Sequence, residues 1–532
     1  MSLIIRDPIH SYIEIAENIK AIIDSQSFQR LKYIKQLTIQ HLYPSANHTR
    51  FEHSLGVMHL ALLFYEKLKV ALFENQLDNA DPYQNYYYLK DHLLYASLLH
   101  DVGHAPFSHV GEKFFNKEDI IKEIEKEIIS KGLTIPIDFL KEKDGNDSIA
   151  AHELMSCYVI VRKLLNKLVC SNNTPGKNID IEFIFRIICG IEYKFDEKPI
   201  PKKIFTMNTI ISIVNSKTID VDQIDYLLRD NKMVDYIGPP VDINRLIMSV
   251  TVDKDSGGLM FTHKGISALQ GLIECKDALY FWVFNHHTVV YTDHLYQRCF
   301  YLFDKLHEFS ANAHEWLPIK YFFSCQAIAD DCISDTDALS MINKAFKLAG
   351  QENTSLEDSN IKLLNQFKNR EYLKPLWKTL YQYNDFLEKI SERVIEKKGA
   401  KKESNNDKEE QRKKDEQEKL GIHIAIEENL KSLEEEILSD LGIDYGKLFI
   451  VIRENSFYGQ KLDSLKILID DSKKTLTDLL PIKDYEGKYR KTAFYVYCEE
   501  EMKDKVRIKL IEKLKKIVKD KQEEEQGPEL PF

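Results

Sequence analysis

The spacing of apolar residues predicts a chain that is mainly α-helical from about residue 21 to about residue 301. Residues 54–69 (SLGVMHLALLFYEKLK) carry a broad apolar stripe at i, i+3, i+4 spacing, which is typical of a helix packed on a core. Residues 93–99 are apolar all round, so we expect a buried helix there. Gly103 and Pro106 follow and should end that helix.

Strand patterns lie towards the two ends of the chain. Residues 4–15 predict a short strand or hairpin, and 448–453 (LFIVIR) and 493–498 (AFYVYC) are the clearest strands. With a helix near 503–519 they predict a small α+β lobe. We therefore predict a mainly α fold in four parts: a helical core over 1–310, a helical extension over 311–395, a charged linker or loop over 396–419, and a small α+β lobe over 420–532.

Three segments are strongly polar. Residues 113–147 form a charged insertion in the core, for which we expect a solvated helical subdomain or a lid. Residues 396–419 (EKKGAKKESNNDKEEQRKKDEQEK) predict a flexible loop, with an exposed helix as the alternative. The last residues, QEEEQGPELPF, predict a disordered tail.

Charge and cysteine usage exclude several classes of protein. The chain has 73 Lys plus Arg against 84 Asp plus Glu, a net charge of -11, which does not favour nucleic acid as a partner. Its eight cysteines form no CxxC pair, which predicts reduced core thiols rather than a zinc cage or a disulfide frame. The sequence shows neither a membrane span nor a signal peptide, so we expect a cytoplasmic protein without a membrane partner.

His100 and Asp101 are adjacent at the end of the predicted buried helix and offer one nitrogen and one oxygen ligand to a cation. His53 begins the helix over 54–69, and Asp222 lies in a helix predicted over 219–230. These four residues suit one divalent metal ion or a bridged pair. Imidazole and carboxylate ligands favour Mn, Fe, Zn, Ni or Co, whereas an all-carboxylate site would suit Mg better, and the pattern does not fix the metal.

Asp222, Asp225 and Tyr226 stand at i, i+3 and i+4 and therefore share one face of the predicted helix. An aspartate on a buried helical face is costly unless a cation or a donor satisfies it. This face is therefore predicted to border the site.

Several segments carry a resemblance to a known family. They are IIRDPIHSYIEI (4–15), IIDSQSFQRLKYIKQL (22–37), RFEHSLGV (50–57) and, more weakly, IVIRENSFYG (450–459) and FYVYCEE (494–500). Together with the His-Asp pair they resemble the HD-domain phosphohydrolases, especially the deoxynucleoside triphosphate (dNTP) triphosphohydrolases that join a sterile-alpha-motif domain to an HD domain. Because the match begins at residue 4, we expect that additional domain to be absent.

The resemblance implies a set of catalytic residues. Arg50 would bind a phosphate through its guanidinium, with a surface arginine as the alternative. His104 and His109 would touch the α-phosphate and the leaving oxygen, and His109 would be the general acid, oriented by Glu112. His152 and Glu153 would form a second catalytic pair, with a chance pair at a helix start as the alternative.

The resemblance also implies contacts to a deoxyribose. Gln36 and Leu37 would check the 3′-hydroxyl and leave no room for a 2′-hydroxyl, while Tyr226 would stack beneath the sugar unless it is a core residue. Asp230 would accept from the 3′-hydroxyl. The predicted substrate-binding set is Gln36, Leu37, Asp225, Tyr226, Asp230, His287 and Tyr291, of which the last two stand four apart on one helix and should line the same pocket.

Two positions that are expected to bind the triphosphate depart from the family pattern. Gln223 stands where the family has a phosphate-binding lysine, and Val283 stands where it has an arginine. Unless the insertion, His286 or His294 compensates, we expect a weaker grip on the triphosphate.

Residues 4–32 resemble an effector-binding strip that lies between subunits in the family. This implies a homo-oligomer, most simply a tetramer, with an activating nucleotide at Arg6, Asp24, Gln29 and Lys32. Because Arg6 and Lys32 replace residues of the family's guanine-nucleotide site, the effector need not be a guanine nucleotide.

The sequence thus predicts an allosteric, metal-binding hydrolase that cleaves a dNTP to deoxynucleoside and inorganic triphosphate. Control of dNTP pools or antiviral (antiphage) defence would be its role. The alternatives are an HD phosphohydrolase or phosphodiesterase acting on another nucleotide or on nucleic acid, and a nucleotide-sensing oligomer in which hydrolysis is incidental. Base preference and effector identity stay open.

Overall fold

The structure is a computed structural model of the chain. It describes residues 3–73, 81–141, 149–171, 179–196, 198–236, 238, 240–309, 318–351, 358–391, 429, 432–444, 446–452, 465–470, 472–480 and 494–526. The linker predicted over 396–419 lies outside these residues. Within them, no helix combines the length and the apolar character that crossing a bilayer requires.

Helices make up most of the described chain, as predicted. The α-helices are α1 (Glu17–Ile23), α2 (Gln26–Gln29), α3 (Arg50–Phe73), α4 (Tyr86–Leu99), α5 (His109–Glu112), α6 (Lys117–Ser130), α7 (Ala151–Val159), α8 (Leu165–Ser171), α9 (Ile181–Cys189), α10 (Lys202–Val214), α11 (Val221–Val234), α12 (Ile243–Ser249), α13 (Ile266–Ala278), α14 (His287–Phe309), α15 (Ile319–Phe322), α16 (Cys325–Ala329), α17 (Asp335–Gln351), α18 (Asp358–Asn369), α19 (Leu380–Ser391), α20 (Leu476–Leu479) and α21 (Lys503–Gln526). Two π-helical segments, Ile160–Leu164 and Leu279–Phe284, extend α7 and α13. Since α21 continues to Gln526, the tail predicted from residue 522 is helical at its start, and 527–532 lie outside the described residues.

The described strands form three small sheets. They are β1 (Leu3–Asp7), β2 (Ser11–Ile15), β3 (Val250–Val252), β4 (Leu259–Thr262), β5 (Lys374–Pro375), β6 (Leu448–Ile452), β7 (Lys466–Ile469), β8 (Ser472–Thr475) and β9 (Phe494–Cys498). The first two form an antiparallel hairpin, and the other sheets have the orders β3-β4-β7-β8 and β5-β9-β6. The N-terminal hairpin and the two late strands are therefore confirmed.

The chain divides into two compact units that interleave along the sequence. Unit 1 is 1–284, 303–352 and 457–489, and unit 2 is 285–302, 353–456 and 490–532. The units therefore do not follow the linear division predicted at residues 310 and 420. One reason lies in sheet pairing, because Phe261 of β4 pairs with Ile467 of β7, which draws a late segment of the chain into unit 1.

The core of unit 1 is built around α3, which packs along α4 and α11. Leu60 and Phe64 of α3 and Leu93 and Leu98 of α4 are fully buried. The apolar runs that predicted these helices thus fill the core, and they bring the polar residues at the helix ends to one place. The predicted helices over 54–69, 93–99 and 219–230 are confirmed.

The insertion contains one clear helix, α6, with a cap and an apolar face. Asn116 accepts from the backbone N–H groups of Glu118 and Asp119 at its start. Ile120, Ile124 and Ile128 recur every four residues and are buried. The insertion is thus helical as predicted, and 142–148 lie outside the described residues.

Candidate metal centre and active site

The four predicted metal ligands come from three separate helices of unit 1 and meet at one point. His53 lies on the first turn of α3, His100 and Asp101 directly follow α4, and Asp222 lies on the first turn of α11. His53 Nε2 is 2.9 Å from Asp222 Oδ1 and 3.7 Å from Asp101 Oδ2. His100 Nε2 is 3.5 Å from Asp101 Oδ1 and 3.7 Å from Asp222 Oδ1. His53, His100 and Asp101 therefore form one group that could hold a metal ion, and Asp222 Oδ1 lies within 3.7 Å of both imidazoles.

Both imidazoles are held from behind so that their Nε2 atoms face this cluster. His53 Nδ1 lies 2.8 Å from Asp225 Oδ2, and His100 Nδ1 lies 2.8 Å from the carbonyl oxygen of Ser97. An acceptor on the outer nitrogen is the usual way to orient a metal-ligating histidine. His100 Nε2 is buried and has no hydrogen-bond partner among the described residues. A bound cation would remove that cost, so the residues fit a divalent metal.

The electrostatics of the cluster also favour a cation. Burial opposes the ionisation of Asp101, but Arg50, His100 and His104 hold the pKa of this carboxyl well below its usual range. Burial lowers the pKa of His53, yet hydrogen bonds to Asp222 and Asp225 outweigh it and raise that pKa to about 10. The cluster thus combines carboxyl groups of lowered pKa with imidazoles, a set of ligand types that suits a divalent cation.

A row of three histidines lies beside the metal ligands. The rings of His104 and His152 stack with their centroids 4.1 Å apart, and both lie close to His109. Burial, Arg50 and His152 together lower the pKa of His104 well below its usual value, so His104 is neutral at pH 7. His104 Nε2 is also only 3.3 Å from Asp101 Oδ1, which joins the row to the metal ligands.

One carboxylate orients two members of this row. Glu112 Oε1 is 2.8 Å from His152 Nδ1, and Glu112 Oε2 is 2.9 Å from His109 Nδ1. Burial raises the pKa of Glu112, but the two histidines outweigh this and hold it far below its usual range. Glu112 is therefore ionised, and it directs the Nε2 atom of His109, whose side chain is 68% exposed, away from itself.

Arg50 connects the two groups of residues. Its Nη1 donates to Asp101 Oδ2 at 2.8 Å, its Nε donates to Ser108 Oγ at 3.1 Å, and its Nη2 is 3.5 Å from His109 Nε2. The side chain is only 5% exposed, which excludes the surface-arginine alternative. The sequence did not point to Ser108. This residue lies in the turn before α5 with a φ of +51°, and its hydroxyl aligns the guanidinium.

Comparison with known proteins agrees with this arrangement. The family model of the HD domain matches residues 50–166, which include His53, the His-Asp pair and the histidine row. Residues 50–166 therefore resemble an HD domain. The "Deoxynucleoside triphosphate triphosphohydrolase SAMHD1 homolog" of Dictyostelium discoideum is 31% identical over 289 residues, 54% of this chain and 46% of that protein. Human "Deoxynucleoside triphosphate triphosphohydrolase SAMHD1" is 43% identical over 108 residues, 20% of this chain and 16% of that protein.

The chain thus spans about half the length of the Dictyostelium protein, and the match to the human one is shorter. The resemblance to HD-domain dNTP triphosphohydrolases is confirmed at this level. A solved phosphohydrolase from Bacteroides thetaiotaomicron has a TM-score of 0.55 at 19% identity, covering 94% of this chain and all of that one. A hypothetical protein from Aquifex aeolicus has a TM-score of 0.52 at 19% identity, covering 96% of this chain. These two likenesses show a shared fold.

Glu153 does not take part in the histidine row of the HD domain. One of its oxygens accepts from the backbone N–H of Ala150 at 2.9 Å and the other from Asn215 Nδ2 at 2.8 Å. It therefore caps the start of α7 and ties it to Asn215. The carboxylate that contacts the His152 ring is that of Glu112. A catalytic role for the His152-Glu153 pair stays a prediction. Side chains of adjacent residues in a helix point in different directions, so the adjacency of His152 and Glu153 in the sequence does not place their side chains together.

Asp225 was predicted to bind substrate, and in the structure it makes its contacts within the protein, so substrate binding by this residue stays a prediction. It is fully buried. Its two oxygens lie 2.6–3.1 Å from His53 Nδ1, His10 Nε2 and two nitrogens of Arg229. Both oxygens of Asp225 are engaged, and one of them contacts the predicted metal ligand His53. His10 and Arg229 are functional neighbours that the sequence reasoning missed, although His10 lies in the DPIH segment that carried the resemblance.

Two of the predicted sugar-facing residues, Gln36 and Asp230, are connected through His48. Gln36 N donates to the His48 carbonyl at 3.1 Å, and His48 Nε2 is 2.7 Å from Asp230 Oδ1. The side-chain oxygen of Gln36 is buried and has no hydrogen-bond partner among the described residues. Leu37 and Tyr226 are half-buried. Binding of a sugar here stays a prediction.

His287 and Tyr291 belong to unit 2. The Tyr291 hydroxyl donates to Gln366 Oε1 at 2.7 Å and accepts from Leu373 N at 3.3 Å, and the residue is almost completely buried. Tyr291 is therefore buried in unit 2, and its predicted role in lining a substrate pocket stays a prediction. Its ring packs against Tyr372, Phe449 and Tyr497, contacts that four-residue spacing alone does not reveal. His287 is half-buried, and its role stays a prediction.

Neither of the two residues that depart from the family pattern carries a positive charge. Gln223 Nε2 donates to Asp220 Oδ2 at 3.2 Å, and Val283 is buried. The described structure therefore supplies no replacement for the family's lysine or arginine at these two positions.

The predicted effector residues lie on or just after the N-terminal hairpin. Arg6 Nη1 donates to Tyr12 Oη at 2.6 Å, and Lys32 Nζ lies 4.6 Å from the centroid of the Phe51 ring. Gln29 Nε2 donates to the Ile23 carbonyl at 2.8 Å, and Asp24 is exposed at the end of α1. Nucleotide binding at these residues stays a prediction.

Proposed function

We propose that this protein is a metal-dependent dNTP triphosphohydrolase that releases deoxynucleoside and inorganic triphosphate. One observation carries the proposal: the cluster of metal ligands is in direct contact with a phosphate-binding arginine and with the histidine row. Asp101 contacts Arg50 through one oxygen and approaches His104 with the other. The names of the curated relatives add the substrate class.

His53, His100, Asp101 and Asp222 would hold the metal. When bound, a divalent cation supplies Lewis-acid polarisation of the phosphoryl group and lowers the pKa of a coordinated water. Arg50, aligned by Asp101 and Ser108, binds the same phosphate and stabilises the charge that develops on it.

His109 is the proposed general acid for the leaving 5′ oxygen. Glu112 accepts from its Nδ1, so Nε2 is the atom that delivers the proton. His104, neutral and buried, donates a hydrogen bond to a phosphate oxygen without adding charge. His152, whose pKa Glu112 raises to about 9 against the effect of burial, adds a positive charge behind His104.

Sugar selection is proposed for Gln36, Leu37, Tyr226 and Asp230. The buried Gln36 oxygen, which has no hydrogen-bond partner in the described part of the chain, and the Asp230 carboxylate are suitable acceptors for a 3′-hydroxyl. The bulk of Leu37 and Tyr226 would exclude a 2′-hydroxyl. We further propose nucleotide regulation through a homo-oligomer, a cytoplasmic location, and a role in dNTP-pool control or antiphage defence.

A second candidate function is hydrolysis of another phosphate ester by the same metal centre. It is favoured by Gln223 and Val283, which leave two positions of the family's triphosphate grip without a cation. A nucleotide monoester or a phosphodiester would not need that grip.

A substrate panel separates the two candidates. The full chain, freed of metal and reloaded with Mn²⁺, is incubated with each dNTP, each NTP and single-stranded DNA, and the products are resolved. Deoxynucleoside and triphosphate from dNTPs alone support the proposal. Cleavage of DNA, or equal rates on ATP and dATP and on GTP and dGTP, would reject it in favour of the second candidate.

A further inference from the structure

A buried series of hydrogen-bonded polar and charged groups connects the N-terminal hairpin to the metal ligand His53. His10, in the turn between β1 and β2, places Nε2 2.6 Å from Asp225 Oδ1. Asp225 Oδ2 is 2.8 Å from His53 Nδ1. Arg229 is ion-paired with the same carboxyl group, with its Nε 2.9 Å from Asp225 Oδ2. As a carboxylate, Asp225 can only accept, so both histidines donate to it.

A second series of contacts also connects the hairpin to Asp225. Asp7 Oδ1 accepts from the backbone N–H groups of Ile9 and His10 at 2.8 and 2.9 Å, which shapes the turn. Asp7 Oδ2 accepts from Arg229 Nη1 at 2.8 Å. Arg229 in turn donates to both oxygens of Asp225, at 2.9 and 3.1 Å. The hairpin therefore reaches Asp225 directly through His10 and indirectly through Asp7 and Arg229.

The opposite side of Asp225 is shaped by α3, the helix that carries His53. A Cβ at Gly56 would lie 1.9 Å from Asp225 Oδ1 and 2.6 Å from Arg229 Nη2. Only glycine leaves room for the carboxylate and the guanidinium against this helix. The close approach fixes Asp225 behind His53, while His10 fixes the oxygen that His53 does not use.

We propose that His10 is a positioning residue of the metal centre. Its N–H holds Asp225 in the rotamer that accepts from His53 Nδ1, which directs His53 Nε2 to the metal. Loss of such an outer partner typically weakens metal binding by about 10- to 100-fold. The inference rests on the metal centre of the proposed function and adds to it a residue of the N-terminal hairpin.

The hairpin has its own anchors, so the role of His10 can be separated from folding. Five cross-strand residue pairs join β1 and β2. Ile13 and Ile15 of β2 are fully buried in the core of unit 1. Replacing the His10 side chain should therefore leave the hairpin in place.

The test measures Mn²⁺ affinity of the metal-depleted full chain by calorimetry. His10→Phe keeps a ring of similar size without the donor, and His10→Gln keeps a donor close to the position of Nε2. Glu14→Gln, on the exposed face of β2, is the matched control. We expect His10→Phe to bind Mn²⁺ about 10- to 100-fold more weakly, His10→Gln to recover most of this, and Glu14→Gln to match the parent protein. Activity of His10→Phe should recover at saturating Mn²⁺ with an unchanged KM for dNTP.

Parental Mn²⁺ affinity in folded His10→Phe, or a His10→Gln variant as weak as His10→Phe, overturns the proposal. An equal loss in Glu14→Gln also overturns it, because the effect would then belong to the hairpin as a whole. If His10→Phe does not fold by circular dichroism, His10→Asn, whose shorter amide does not reach Asp225, must show the same loss. Failure of the parent protein to bind Mn²⁺ would instead reject the metal centre itself.

Discussion

The metal-ligand cluster and the histidine row are built in opposite ways. In the cluster, His53 and His100 are each fixed from behind by an acceptor, and their side chains are almost completely buried. In the row, exposure rises from the buried His104 to the largely exposed His109, and one carboxylate serves two rings. The first arrangement suits an ion that must be held rigidly. The second suits groups that meet a substrate and exchange protons with it.

Removing a ligand from the cluster should have the largest effect. We predict that His100→Ala loses the bound metal and at least about a thousandfold of activity, because Lewis-acid catalysis supplies several kcal/mol. The fold should survive, since α4 is anchored by buried residues such as Leu93 and Leu98. Metal content by elemental analysis, circular dichroism and the hydrolysis rate are measured together.

His263→Ala is the matched control for this change, because His263 is an exposed histidine of unit 1. It should keep both metal and activity. Full activity of a metal-free His100→Ala protein would sink the assignment of the cluster.

The histidine row should respond more weakly and without loss of metal. Glu112→Gln removes the charge that orients His109 and His152, so we expect kcat to fall by about 100-fold or more with metal content unchanged. Glu153→Gln keeps an oxygen that can accept from the Ala150 N–H but loses the hydrogen bond from Asn215 Nδ2, so it should cost about 1 kcal/mol of unfolding free energy with little change in kcat. The two matched variants are compared by steady-state kinetics and by denaturant unfolding. An equal loss of kcat in both would support the His152-Glu153 pair and remove Glu112 from its assigned role.

Sugar selection should be affected next. Tyr226→Ala opens space beside the sugar, so we predict that the preference for dNTPs over NTPs narrows by about tenfold, chiefly through faster NTP cleavage. The measurement is kcat/KM for dGTP and GTP in the two proteins. An unchanged ratio would assign Tyr226 to the core, which was the alternative drawn from the sequence.

Regulation should give the smallest effect. Lys32 is exposed and contacts the Phe51 ring, so Lys32→Ala leaves the active site intact while removing a cation from the predicted effector strip. We expect basal activity to be retained and stimulation by a second nucleotide to fall several-fold, about 1 kcal/mol of coupling. Size-exclusion chromatography with and without mixed nucleotides checks assembly. A monomer whose rate on one dNTP ignores all others would remove the regulatory part of the proposal.

The comparison between cluster and row also explains what the sequence could reveal. His53, His100, Asp101 and Asp222 were predictable because each stands at the end of a helix with a recognisable apolar face, and the chemistry demands those residue types. The contacts of Asp225 and Glu153 could not be predicted because their partners, His10 and Asn215, are distant in sequence and local spacing does not encode tertiary contacts. The burial of Tyr291 was hidden for the same reason, since its partner Gln366 lies 75 residues away.

The fold shows the same limit. The helices and strands followed from apolar periodicity, whereas the two interleaved units did not. Strand pairs such as Phe261 with Ile467 join segments that no local pattern links.

The central claim is that the metal cluster and the histidine row act together on an α-phosphate, and hydrolysis of a dNTP in ¹⁸O-labelled water tests it most directly. The Mn²⁺-loaded full chain is incubated with the dNTP that it cleaves fastest, and the products are analysed by mass spectrometry. Attack of water on the α-phosphorus predicts that the label enters inorganic triphosphate and that the deoxynucleoside stays unlabelled. Formation of deoxynucleoside monophosphate and pyrophosphate, or label in the deoxynucleoside, would contradict the account.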